Sequence, residues 1–340
     1  MKILVTGGCG FMGSNFIRFQ LQNDPTVEII NLDKLTYAGN LANLADVADN
    51  PRYRFVRGDI NDQALVDSLM PGVDAVVNYA AETHVDRSIM EPRAFLEANV
   101  MGVQTLLDAV RKHNVSRMVH ISTDEVFGHV EEGETDEDAP FRPRSPYSAS
   151  KAAGDHLCHA HFVTYGTPVI VTHSVNYYGP YHFPEKLIPL FTLNLMDGKK
   201  VPVYGDGMQV REWIFTEDHC RAIDAILRRG TVGEVYNIGT GERVPNIEIT
   251  KKLIALTGRD ESHIEYVKDR PGHDRRYALN SEKLRRELGW APQVSFDEGL
   301  ARTVEWFRQN QAWWEPIRTG EYLKYYDSWY RDQLDASDNV

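Results

Sequence analysis

Cysteine is scarce: Cys9, Cys158 and Cys220 are the only three in 340 residues and stand far apart. Neither a disulfide framework nor a zinc site with paired thiolate spacing is encoded. Long apolar runs are missing too. After Met1-Lys2 the run Ile3-Leu4-Val5 stops at Thr6-Gly7-Gly8, short of a signal-peptide core, and no stretch approaches membrane-spanning length. Positive charge is in deficit, with 37 Lys and Arg against 49 Asp and Glu and a net charge of −12. That balance opposes general attraction to nucleic acid or an anionic membrane, so an anionic ligand must meet a local basic pocket. There is no internal repeat and no low-complexity segment. These absences predict a soluble, cytoplasmic protein with neither a nucleic-acid nor a membrane partner.

What is present is an ordinary globular composition, 42% hydrophobic and 25% charged, arranged in a rhythm. Short β-branched runs alternate with amphipathic stretches: Lys2 to Thr6 then Phe11 to Leu21; Val27 to Leu32; Tyr53 to Val56; Ala75 to Val77 then Phe95 to Val110. Arg117 to Ile121, a helix from about Ser148 to Tyr165, and Pro168 to Thr172 continue the series. Repeated βαβ units predict an α/β fold, a Rossmann-type doubly wound parallel sheet with helices on both faces. Beyond Asn176 the pattern breaks into a Pro/Gly-punctuated region that includes the short strand Glu234 to Ile238. This predicts a smaller mixed α/β lobe. The expected division is 1–175 for the dinucleotide-binding domain, 176–315 for a substrate-binding lobe interleaved with it, and 316–340 for an aromatic, then polar, tail.

Gly7-Gly8-Cys9-Gly10-Phe11-Met12-Gly13 follows the first strand and opens the first helix. A dinucleotide fold needs a tight turn there, and the backbone must come close to a pyrophosphate at an open helix N-terminus. Asp33 closes the second strand about 20 residues later, where a carboxylate holds the ribose hydroxyls and repels a 2′-phosphate. NAD is therefore expected over NADP, with Gly7, Gly10, Phe11, Met12, Gly13, Asp33, Lys34 and Thr36 around it. Tyr79, Ala80 and Ala81 follow the fourth strand and face the nicotinamide side of the crevice.

Tyr147 and Lys151 are four apart and share one helix face. A cation beside a phenol favours the phenolate, so the tyrosine is expected to titrate toward neutrality and to take a proton from an alcohol as the carbon gives up hydride. Ser122-Thr123, closing the fifth strand, points to the same crevice. Arginine suits a diphosphate, and Arg211, Arg275 and Lys186 are the cationic candidates.

The glycine loop, Ser122-Thr123 and Tyr147-x-x-x-Lys151 together resemble the extended short-chain dehydrogenase/reductase family. Within it, Ser122-Thr123-Asp124-Glu125-Val126, Gly179 to Pro189 and Pro271 to Tyr277 resemble the nucleotide-sugar 4,6-dehydratases that act on dTDP-glucose. The likeness runs from Met1 to about Glu315. It implies oxidation at C4 by Tyr147 with Thr123 on the same oxygen, elimination of water across C5/C6 by Glu125 as base and Asp124 as acid, and hydride return to C6. It places the adenine near Asp59 and Ile60, and the nucleotide sugar near His84, Asn176, Glu185, Lys186, Leu187, Arg211, Asn246, His273 and Arg275. It also implies pairing of the helices around His156, His159 and His161 across a homodimer, in preference to a metal site.

Phe127, Val175 and Tyr177 depart from the family pattern, where tyrosine, serine and asparagine stand. UDP-glucose therefore remains open as substrate. A 4-epimerase or decarboxylase of nucleotide sugars would share everything except the need for Asp124 and Glu125, and a non-catalytic NAD-sensing protein would not need Thr123, Tyr147 and Lys151.

Overall fold

The structure is a computed structural model that describes residues 1–269 and 272–318. Strands and helices alternate through β1 (Lys2–Thr6), α1 (Phe11–Asn23), β2 (Glu28–Asp33), β3 (Tyr53–Arg57), α2 (Gln63–Leu69), β4 (Ala75–Asn78), α3 (Val85–Met90), α4 (Pro92–Leu96), α5 (Gly102–Lys112), β5 (Arg117–Thr123), α6 (Pro146–Tyr165) and β6 (Val169–Ser174). Then follow β7 (Asn176–Tyr178), α7 (Leu187–Met196), β8 (Val201–Tyr204), β9 (Val210–Phe215), α8 (Thr216–Arg229), β10 (Val235–Ile238), β11 (Arg243–Pro245), α9 (Asn246–Leu256), β12 (Ile264–Val267), α10 (Glu282–Leu288) and α11 (Phe296–Gln309). The tail expected over 316–340 lies outside the described residues from position 319 on.

Seven strands make one parallel sheet in the order β10-β6-β5-β4-β1-β2-β3. Its central strands are apolar and buried on both faces, as the unbroken runs Ile3-Leu4-Val5 and Ala75-Val76-Val77 require. Register aligns the carboxyl ends: Thr6 lies beside Leu32 and Asn78, and Thr123 beside Ser174. Side chains from five strands thus open on one edge, the place where such sheets bind ligands.

A second core forms between α7, α9 and α11 and two small sheets, β11-β9-β7 and β12-β8, around Tyr178, Phe191, Trp213, Phe215, Leu253 and Leu300. The strand read from Glu234 to Ile238 as part of this lobe belongs instead to the large sheet, where Val235 pairs with Val171 and Ile238 with Ser174. Gly233, at φ +86°, makes the turn into it. The stretch read as one helix from Phe95 to Val110 is interrupted by a π-helical turn over Glu97–Met101. Asn99 in that turn exchanges bonds with both backbone groups of Glu82 and donates to Ser150 Oγ, which ties the loop after β4 to α6.

The chain between the lobes is fastened by Asp218 at the start of α8. Its carboxylate is fully buried, accepts the backbone N–H groups of Gln293 and Val294 and pairs with Arg221. Trp290 adds an indole N–H to the Asp218 carbonyl at 3.1 Å. Asp218→Ala would strand the N–H groups of Gln293 and Val294 and the Arg221 guanidinium, and is expected to cost about 3 kcal/mol. Urea unfolding midpoints measure that loss, and an unchanged midpoint refutes the role.

Candidate active site

The sheet edge and the second lobe enclose a cleft with a cavity of about 480 Å³. Its floor at one end is the glycine loop. Gly7 holds φ +68° with its backbone against β4, and a Cβ there would meet Ala80 N at 2.6 Å; a Cβ on Gly13 would meet Gly7 O at 2.3 Å. Gly10 precedes α1 with no side-chain cap, so the first N–H groups of that helix remain available to an anion. The shape suits a pyrophosphate lying on bare backbone.

Asp33 stands at the end of β2, where its two oxygens accept the N–H groups of Cys9 and Leu35, each at 2.8 Å. Burial pushes its carboxyl up and those two bonds pull it back. Lys34 and Asp59 form a 2.6 Å ion pair beside Ile60, and burial of Asp59 is outweighed by Lys34 and Asn61, which hold its carboxyl low. With Phe11, Met12, Thr36, Tyr79, Ala80 and Ala81, all the residues expected around NAD line the cleft. The backbone cradle that a Cβ would fill, and the carboxylate that closes β2 beside it, fit that cofactor.

Across the loop lies a strap from the second lobe. His182 stacks on Phe11 with centroids 4.2 Å apart, and Asn15 donates to Pro180 O. Glu185 is buried, accepting Tyr37 Oη at 3.0 Å and Arg87 Nε at 3.1 Å, while Lys186 donates to Thr83 O. Sequence reasoning placed Glu185 among substrate contacts but missed Tyr37, Arg87 and His182, whose signal lies only in the folded contacts. It also passed over Glu82, which lines the cleft and whose carboxyl is pushed up to about 7 by burial and by Glu185. Its position two residues before His84, just past a strand end, was the available clue.

The chemistry gathers at the end of β5. α6 begins with Ser145 and Ser148 in a reciprocal capping box and Pro146 in the first turn, which fixes Tyr147 and Lys151 on the face toward β5. Lys151 Nζ donates to Ile121 O at 2.7 Å. Thr123 caps a 3₁₀ turn over Asp124–Phe127: its hydroxyl accepts Glu125 N–H at 3.3 Å and donates to Asp124 Oδ1 at 3.2 Å. Gly128 ends the turn at φ +72°, with a Cβ there meeting Arg142 O at 2.2 Å.

Burial, then the charge of Glu125, lifts the Asp124 carboxyl well above its usual range, which favours its acid form. That is the state an acid role requires. Tyr147 departs from expectation. Burial and Glu125 push its phenol up, opposed by a hydrogen bond with Thr123. The anticipated shift toward neutrality is absent from the chain alone because the Lys151 ammonium is turned to Ile121 O, and burial lowers its own affinity for the proton.

Thr123, Glu125, Tyr147, Lys151, His84, Asn176, Glu185, Lys186, Leu187, Arg211, Asn246 and His273 all line the cleft. Asp124 sits beside Thr123 and is 2% exposed. Arg211 lies over the Tyr277 ring at 4.4 Å and donates to Asp274 O, which orients it into the second-lobe end. Arg275 is not brought there: it grips Asp206 with two 2.7 Å bonds at the surface, since an exposed carboxylate of matching geometry lies closer. His84 caps α3, accepting Arg87 N–H, and His273 meets Asp269 at 2.6 Å. Of the three unusual positions, Phe127 packs edge-on to Phe141 and His173 away from the wall, whereas Val175 and Tyr177 face the cleft.

Among the described residues no helix is long and apolar enough to cross a membrane. A family model described as GDP-mannose 4,6 dehydratase matches residues 4–303. The dTDP-glucose 4,6-dehydratase of Streptomyces niveus is 52% identical, with 94% of this chain and 96% of that protein covered. That of Neisseria meningitidis serogroup B is 50% identical, with 94% and 97% covered. The crystal structure of DesIV, a dTDP-glucose 4,6-dehydratase from Streptomyces venezuelae with NAD bound, superposes with a TM-score of 0.92 at 53% identity, covering 93% of this chain and 100% of that one. A UDP-glucose 4-epimerase from Thermotoga maritima shares the fold at a TM-score of 0.85 but only 31% identity, covering 92% and 100%. Taken with the glycine cradle and the Thr123-Asp124-Glu125 turn, these likenesses show that the chain belongs to the dTDP-glucose 4,6-dehydratase family of extended short-chain dehydrogenases/reductases.

Proposed function

We propose that the chain is an NAD-dependent hydro-lyase that converts dTDP-glucose to dTDP-4-keto-6-deoxyglucose. The observation that carries this reading is the turn ending β5, where Thr123, Asp124 and Glu125 stand together beside Tyr147. An epimerase needs only oxidation at C4, whereas elimination also needs an acid and a base. NAD, when bound on the glycine loop, supplies the two-electron acceptor for C4 and the donor for C6. Tyr147 takes the proton of the 4-hydroxyl, and Thr123 bonds the same oxygen. The C4 ketone acidifies C5, and Glu125 removes that proton. Asp124, whose acid form burial favours, protonates the 6-hydroxyl as it leaves as water, and Glu125 returns a proton to C5. Lys186 and Arg211 hold the diphosphate, with Asn176, Leu187 and Asn246 around the sugar and base.

Incubation with dTDP-glucose is expected to give a product lighter by one water; inversion at C4 without mass loss overturns the reading, and UDP-glucose run in parallel tests the base. Glu125→Gln should retain NAD and lose about 10²-fold or more in elimination, so turnover near that of the parent removes Glu125 from its role. Asp33→Ala is expected to weaken NAD about tenfold and to narrow the preference over NADP; an unchanged preference in cofactor titrations sinks that assignment.

The same reading extends to assembly and location. Leu96, Met101, Val163 and Tyr165 are exposed apolar side chains on the adjoining α4, π turn and α6, a surface that a second copy would cover in a homodimer. The double substitution Met101→Asp with Val163→Asp should halve the mass seen by sedimentation equilibrium. An unaltered mass counts against this face. Cys9, Cys158 and Cys220 are free and buried thiols, which suits the reducing cytoplasm.

A further inference from the structure

After α11 the chain turns at Asn310 into a short helix, α12 (Gln311–Trp314). This corner is rooted in the second lobe. Trp314 and Phe307 are buried with Leu193 of α7, and the Trp314 indole donates to Phe307 O at 2.8 Å. Trp313, next to it, reaches across to the first lobe, where its indole N–H donates to Asn43 Oδ1 at 2.8 Å. That bond fixes which end of the Asn43 amide is oxygen and which is nitrogen. Asn43 Nδ2 donates to Cys9 O inside the glycine loop, also at 2.8 Å. Asn43 is 2% exposed, so both bonds are shielded from solvent. The N–H of the same Cys9 donates to Asp33 Oδ2 at 2.8 Å. Three bonds of equal length thus run from Trp313 to the carboxylate that closes β2.

The same corner grips the strap. Tyr181 holds φ +66°, a left-handed conformation that a bulky residue keeps only where its surroundings fix it. Its ring lies against Trp306 at 4.7 Å, Trp313 at 5.6 Å and the Arg18 guanidinium at 4.4 Å. Arg18 in turn pairs with Asp46 and donates to Asn43 O at 2.6 Å. On either side of Tyr181 in the chain stand the contacts that lay the strap on the loop: Pro180 O with Asn15, and His182 with Phe11. Trp313 therefore touches both the support of the glycine loop and the residue that bends the strap over it.

We propose that Trp313 is a positioning residue for the dinucleotide: it clasps the glycine loop, through Asn43, to the strap, through Tyr181, and so slows the departure of NAD and NADH. Trp313, Asn43 and Tyr181 do not line the cleft, so they act through residues that do, Phe11, Asp33 and His182. The use of such a clasp rests on the dehydration proposed above, in which NADH formed at the first step must still be in place at the last. A departure between the two leaves C6 without its hydride. The clasp itself is a property of the chain and its cofactor, with or without a sugar.

The test loads the full-length protein with tritiated NADH, adds an excess of unlabelled NAD, and follows the label that stays with the protein after rapid desalting. No sugar is present, so the rate is independent of the reaction that the cleft performs. Trp313→Ala removes both arms of the clasp and is expected to release label about tenfold faster than the parent. Trp313→Phe keeps a ring against Tyr181 and loses the N–H, for which about a threefold gain is expected. Trp314→Phe weakens the root of the same corner; it should lower the urea midpoint and leave the release rate at the parent's value. Release at the parent's rate from Trp313→Phe overturns the path through Asn43, and from Trp313→Ala the whole clasp. Equal acceleration in Trp314→Phe marks a general loosening and overturns it too. The phenylalanine variant stays readable should the alanine variant fail to fold. Parent protein that forms no dehydrated product from dTDP-glucose overturns the reaction, a result distinct from an unchanged rate of release.

Discussion

The buried carboxylate of Asp155 is the constraint on which the site's geometry depends. One turn beyond Lys151 on α6, it accepts Ser122 Oγ from β5 at 2.7 Å and meets His173 Nε2 from β6 at 3.2 Å and His120 Nε2 at 3.5 Å. Burial opposes its charge, but His173, His120 and Lys151 together hold the carboxyl low. A charge so deep is tolerable only with its partners in place, so helix and strands have little freedom to shift against one another. The chain of bonds runs on through Asn78 Nδ2 to His120 Nδ1 at 3.0 Å and Thr6 Oγ1 to Asn78 Oδ1 at 2.6 Å. One polar thread thus crosses β1, β4, β5 and β6 beneath the catalytic pair, linking the strand that carries the glycine loop to the helix that carries Tyr147.

Much of this arrangement was legible in the sequence because it is local. The turn at Gly7 to Gly13, the apolar strands and the capped start of α6 are each written within a dozen residues, where periodicity and Gly, Pro and Ser chemistry decide. What could not be read came from contacts distant in sequence. Val235–Ile238 has the composition of any short strand, and only pairing with β6 assigns it to the large sheet. Arg211 and Arg275 look equivalent as phosphate ligands, yet the nearness of Asp206 withdraws one of them. The protonation of Tyr147 departs from expectation for the same reason: spacing puts Lys151 on the right face but says nothing of the carbonyl of Ile121 that accepts its hydrogen bond.

The carboxyl pair after β5 shows how neighbours in sequence acquire different characters. Asp124 turns inward beside Thr123 and loses water, whereas Glu125 lines the open cleft. A single 3₁₀ turn suffices to separate an acid from a base, since desolvation on one side and the neighbouring charge on the other both favour keeping the proton on Asp124.

The strap over the glycine loop bears on the protein's place in cellular redox economy. With His182 laid flat on Phe11 and Glu185 bonded to Tyr37 and Arg87, escape of a dinucleotide requires two lobes to part. A reaction that takes electrons from C4 of a sugar and gives them back to C6 of the same sugar has no need of that escape. Electrons that leave and return within one turnover draw nothing net from the surrounding pool of pyridine nucleotide.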